Sequence, residues 1–68
     1  MKVEVKQITN HGNSILEFYV AKCHVLTLKN QLASDAMLEF IETAEEKGLF
    51  TPEELAYIEF SWGYERLD

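Results

Sequence analysis

Cys23 and His24 are the only adjacent pair of soft ligands in the chain, and His11 is the other histidine. A structural zinc site takes four ligands at recognisable spacings, and here three exist at best. Neighbours in an extended strand also point to opposite faces, so Cys23 and His24 do not share a metal. As a nucleophile and its base, Cys23 would need a histidine within hydrogen-bond reach and a third group to orient it. His24 fails by the same alternation, while His11 remains open. A chain of 68 residues leaves little room for a formed pocket. The expectation is therefore a non-enzyme with no catalytic residue, no metal and no cofactor. Cys23 is expected as a small buried hydrophobe and His24 as exposed or at a strand end.

Carboxylates are the other chemistry-bearing residues. Glu42, Glu45 and Glu46, then Glu53 and Glu54, match no calcium-loop pattern. Helix capping accounts for Glu53 and Glu54. The plain reading of the run is a solvated helix face. The sharper reading is a docking surface of Asp35, Glu39, Glu42, Glu45, Glu46, Glu53 and Glu54 that competes with nucleic acid for a basic groove. A duplex presents about one charge per 1.7 Å of axis. Tyr57, Phe60, Trp62 and Tyr64 are core by default, but Trp and Tyr also anchor interfaces when exposed. The expected partner-binding residues are Glu39, Glu42, Glu45, Glu46, Glu53, Glu54, Trp62 and Tyr64.

One long helix is the best-marked element, over 34–47. Ala33, Met37, Phe40, Ile41 and Ala44 make an apolar stripe at i, i+4, i+7, i+8 and i+11. Ser34 is placed to cap it, and Asp35 sits where the helix dipole favours a negative charge. Gly48 ends it in the left-handed conformation, with Leu49 folding back on the last turn. A second helix starts at Pro52, because Thr51–Pro52–Glu53–Glu54 is a capping box with proline at the first helical position. Phe50 and Leu55 flank it as a hydrophobic staple.

The rest reads as strands. Residues 2–9 alternate, Asn10–His11–Gly12–Asn13 is a turn signal, and 15–20 places Leu16, Phe18 and Val20 on one face. These form a hairpin with a four-residue loop. Ala21–Lys22–Cys23–His24 has no strong breaker, and a third strand is expected at 24–28. Ile58–Glu59–Phe60–Ser61–Trp62–Gly63–Tyr64–Glu65 alternates cleanly and reads as a strand after one helical turn. The alternative is a helical hairpin whose second helix exposes an aromatic stripe. The expected fold is α+β: one domain over 1–68, an antiparallel sheet of three to four strands, covered on one face by the helix at 34–47 plus the short helix from Pro52. Ile58, Phe60, Trp62 and Tyr64 join the core, and the opposite sheet face is solvated.

Composition fits a folded chain, with 47% hydrophobic and 12% aromatic residues. One cysteine permits no internal disulfide and argues for a reducing interior. With no leader and no apolar run of membrane-span length, a cytoplasmic protein is expected. The net charge of −6 is unevenly spread. Residues 1–34 carry four lysines against two glutamates, and residues 35–68 carry two cations against ten carboxylates. Such a surface repels nucleic acid and membranes and attracts basic proteins. The sequence has no basic patch and no Gly-rich phosphate loop, so direct nucleic-acid binding is not expected.

The expected function is a small acidic, non-enzymatic protein-binding module. It is an inhibitor or adaptor that presents its acidic face to a basic, nucleic-acid-handling surface of a larger protein or complex. In size and charge alone the chain resembles phage-encoded inhibitors of host defence, anti-CRISPR proteins among them, and that analogy carries no residues over. The alternative is a homodimer or larger homo-oligomer joined through the C-terminal aromatics or by pairing of sheet edges.

Overall fold

Three strands at the start of the chain zip into a meander, and the helices then carry the chain back across it. The computed structural model describes residues 2–67. Its elements are β1 (Lys2–Asn10), β2 (Asn13–Val20), β3 (Cys23–Lys29), α1 (Ala33–Glu46), α2 (Pro52–Leu55) and β4 (Glu59–Arg66). They form one four-stranded sheet in the order β3-β2-β1-β4 beneath the helical layer, an α+β architecture as expected.

The sheet is mixed rather than wholly antiparallel. β1–β2 and β2–β3 pair antiparallel, but β4 pairs parallel to β1, with Val3 beside Phe60 and Val5 beside Trp62. The reason is length. The 14 residues of α1 span about 21 Å at ~1.5 Å per residue, enough to return the chain along the whole sheet. β4 therefore starts at the end where β1 starts and runs the same way, as a helical crossover requires.

The turns are tighter than the sequence suggests. Asn10 pairs with Asn13, so the first loop is two residues, His11 (φ 50) and Gly12 (φ 82), rather than four. The second hairpin also has a two-residue loop, Ala21 (φ 50) and Lys22 (φ 66), because Val20 pairs with Cys23. Both loops have the twist that suits hairpins, but the second uses residues that disfavour positive φ, which is why no breaker marks it. β3 carries a bulge opposite Phe18/Tyr19 that leaves Val25 as an extra residue, and both Val25 and Leu26 pack on the core. Asn30 (φ 54) ends β3. Its N–H donates to the Ser14 carbonyl at 2.7 Å, its Oδ1 accepts from the Ser14 N–H at 2.9 Å, and its Nδ2 donates to Asn13 Oδ1 at 3.2 Å.

α1 begins one residue earlier than expected. Leu32 is the N-cap, without a side-chain hydrogen bond, so Ser34 lies inside the first turn and does not cap. The other end behaves as its glycine indicates: Gly48 (φ 65) donates to the Glu45 carbonyl at 3.1 Å and Leu49 N–H to the Ala44 carbonyl at 3.0 Å. That is the paired C-terminal closure glycine favours. The helix face is rotated slightly from the expected stripe. Ala36, Phe40 and Ala44 are buried, Met37 and Ile41 are half-buried, and Ala33 is exposed. Two alanines flanking Phe40 let the helix approach the sheet closely, leaving the larger Met37 and Ile41 at its border.

The core is Val3, Val5, Leu16, Phe18, Ala36, Phe40, Ala44 and Phe50. Phe18 stacks on Phe40 at 4.9 Å, and Phe60 meets both edge-on at 6.2 and 5.9 Å. β4 is a strand, as its alternation predicts, but only half of its apolar face is covered. Ile58 and Phe60 pack on the core, while Trp62 is 42% and Tyr64 65% exposed. The helical layer lies closest to β3 and leaves the far end of β4 open.

Candidate interaction surfaces

The acidic residues come from α1 and the start of α2. On α1 the spacing i, i+4, i+7, i+11 sets Asp35, Glu39, Glu42 and Glu46 in one exposed row, about 16 Å long at ~1.5 Å rise per residue. Glu45 projects about a quarter-turn around the helix from that row, also exposed. Among the described residues, none of these five carboxylates has an ion-pair partner. Glu53 is exposed at the first turn of α2. Glu54 is already engaged: its Oε1 accepts the Thr51 N–H at 3.0 Å, and Thr51 Oγ1 accepts the Glu54 N–H at 3.2 Å. The expected capping box is thus complete, and it takes Glu54 out of the freely presented set.

The charge asymmetry is sharper in space than in sequence. Residues 33–55 carry seven carboxylates and Lys47, a net of −6, which equals the formal charge of the whole chain. The strands and their turns are close to neutral, with Lys2, Lys6, Lys22, Lys29 and Arg66 against Glu4, Glu17, Glu59 and Glu65. Lys6 Nζ lies 3.5 Å from Glu65 Oε2, so part of the acid counted in the C-terminal half is balanced across β1 and β4. Asp68 lies outside the described residues.

Glu45 and Glu46 also occupy the last turn of α1, which contains no basic residue. The helix dipole disfavours carboxylates there, and Glu42 and Glu46 repel at i, i+4.

Trp62 and Tyr64 form a second surface, on the helix-covered side of β4 but beyond the helix. Their register with Val5 and Gln7 fixes that side. The two surfaces are separate, since α1 approaches the opposite sheet edge.

The Cys–His readings are settled by topology. Cys23 follows the β2–β3 turn and His11 lies in the β1–β2 turn, at opposite ends of β2, about 24 Å apart at ~3.4 Å per residue. They cannot form a nucleophile–base pair. Cys23 is exposed, not buried as expected, because it sits at the first position of an edge strand. His24 points to the other face, where its Nε2 lies 2.6 Å from Thr27 Oγ1 and its ring meets Tyr19 edge-on at 5.6 Å. Among the described residues, no group of three or more His, Cys, Asp or Glu side chains is arranged to hold a metal.

A feature without sequence signal is an open depression of about 500 Å³ on the uncovered sheet face, lined by Glu4, Lys6, Tyr19, Lys22 and Ser61 among others. Only the register of three strands brings these residues together.

No helix among the described residues is long and apolar enough to cross a membrane. No family model matches the chain, and neither a curated protein nor a solved structure matches it.

Proposed function

We propose that the protein is a non-enzymatic binding module whose acidic helical layer docks on a basic surface of a larger protein, as an inhibitor or adaptor. The observation that carries this reading is the placement of Glu45 and Glu46 in the last turn of α1, a turn with no basic residue of its own, Lys47 following as the C-cap. A helix under selection for stability alone would carry Lys or Arg there. Departures from a local stability rule are expected at functional sites, where the group serves something outside the fold.

The row on α1 sets successive carboxylates about 5.5 Å apart, wider than the ~3.4 Å per charge along one strand of a duplex. It therefore fits a basic protein groove by sign and linearity rather than as a copy of duplex geometry. The natural partner is a nucleic-acid-handling protein, because such proteins carry extended basic grooves. The reading places the protein in the cytoplasm with its partner.

The test is capture of partners by the tagged protein beside a Glu39→Lys/Glu42→Lys/Glu46→Lys variant, each with and without excess duplex DNA. A basic partner retained by the native protein, lost by the variant and displaced by DNA supports the reading. Equal capture by both proteins overturns it.

A further inference from the structure

β4 is an edge strand of the sheet, with β1 as its one neighbour among the described residues. Leu67 N–H donates to the Thr9 carbonyl at 2.8 Å, extending the β1–β4 ladder beyond Arg66. Strand alternation then turns the backbone groups of Glu59, Ser61, Gly63 and Glu65 toward β1. Those of Phe60, Trp62, Tyr64 and Arg66 point away from β1, toward the side where the sheet has no further strand. A long edge strand with exposed aromatics is a site that proteins normally shield, and β4 carries neither proline nor bulge.

We propose that two copies of the chain pair antiparallel through β4 about a two-fold axis at Gly63, giving a continuous eight-stranded sheet. Two-fold symmetry restricts the registers to those in which a residue faces itself on the axis. With Gly63 on the axis, Trp62 faces the partner's Tyr64, Phe60 faces the partner's Arg66, and Ser61 faces the partner's Glu65. The four outward residues of each copy then exchange both backbone hydrogen bonds with their opposites, leaving no edge group unpaired. The half-covered aromatics become two cross-strand Trp–Tyr pairs, and aromatic pairs of this kind stabilise antiparallel pairing. No carboxylate meets another.

The neighbouring register, with Trp62 on the axis, sets Glu59 against the partner's Glu65 twice and leaves Arg66 without an outward opposite inside the strand. The charge pattern therefore favours the Gly63 register over this one, and registers centred elsewhere pair fewer residues of β4. Residues on the axis in this register form a close pair without hydrogen bonds, their Cα atoms about 4.5 Å apart. The acidic layer sits toward β3, away from the axis, so its charge does not oppose the pairing at close range. This proposal is independent of the acidic-face reading and leaves that face open in both copies.

The test is the mass in solution and a crosslink that reports the register. Light scattering or sedimentation of the full chain under reducing conditions is expected to show a dimer. Tyr64→Pro removes one outward N–H without touching the β1 ladder, and Tyr64→Glu puts a charge against the partner's Trp62. Each is expected to raise the dimer dissociation constant about tenfold or more while the circular dichroism stays native. The second variant serves if the proline unfolds the chain.

Gly63→Cys in a Cys23→Ser background should form a covalent dimer on mild oxidation. A Cβ built at Gly63 meets nothing closer than the Val5 carbonyl at 3.9 Å, and the axial spacing suits a disulfide. Glu59→Cys, also exposed and on the same face of the same strand, should not self-link. A monomer at hundreds of micromolar, or Gly63→Cys linking no faster than Glu59→Cys, overturns the proposal.

Discussion

Val5 and Trp62 stand side by side across the parallel β1–β4 pair and face the same side of the sheet, yet Val5 is 1% exposed and Trp62 42%. The helical layer ends between them. Val5 belongs to the core, while on β4 only Phe60 packs against it and Trp62 and Tyr64 are left at the surface. An alternating strand announces which residues share a face, but the position of the covering helix decides how much of the face is buried.

Replacing aromatics on either side of that line should have very different costs. Phe18→Ala removes a fully buried ring stacked on Phe40 and should cost about 3–5 kcal/mol, enough to unfold a domain of this size. Trp62→Ala, half-covered at the border, should cost about 1 kcal/mol in the monomer. Urea unfolding of the two variants checks this, and equal losses would mean that Trp62 is core after all.

The β2–β3 turn stores strain that substitution can release. Ala21 and Lys22 both have positive φ, at about 1 kcal/mol each relative to residues that accept it. Ala21→Asn with Lys22→Gly should raise the unfolding midpoint, by about 1 kcal/mol or more in stability. A loss of stability would place the turn in another geometry.

Gly48 is the reverse case. A Cβ there meets nothing within 4 Å, so space does not forbid a side chain, but φ is +65°. Gly48→Ala should destabilise by about 1 kcal/mol through backbone strain alone. Gly48→Asn should recover part of that loss, because asparagine tolerates the left-handed region, and thermal unfolding distinguishes the two.

Glu46→Lys should separate stability from binding. Removing a carboxylate from the last turn and supplying a cation should stabilise the helix by about 0.5 kcal/mol at low salt, an effect that fades as salt screens it. The same change should slow association with a basic partner. Calorimetric unfolding at two salt concentrations, beside association rates, measures both. A variant that is less stable and binds equally well would make Glu46 structural.

Elements marked by backbone chemistry were legible in the sequence. Thr51, Pro52 and Glu54 specify a helix start within four residues, and the reciprocal hydrogen bonds formed as the pattern requires. Gly48 likewise fixes the end of α1. The first two strands follow from their alternation and shared faces, and so does β4 once Phe60 and Trp62 are seen to share a side. The acidic character of the helical layer follows from counting residues. These signals need only the chain's own neighbours.

What tertiary structure decided is everything that depends on distance along the chain. The parallel arrival of β4 is set by the length of α1 relative to the strands, and no residue in β4 encodes it. The turn at Ala21–Lys22 carries no local signal, because pairing of β2 with β3 forces it against the residues' own preference. Cys23 and His11 are kept apart by a strand that lies between their turns. Trp62 and Tyr64 stay at the surface because a single helix of about 10 Å diameter cannot cover four strands spaced about 4.8 Å apart. The sequence determined which faces exist, and packing determined which of them the molecule left open.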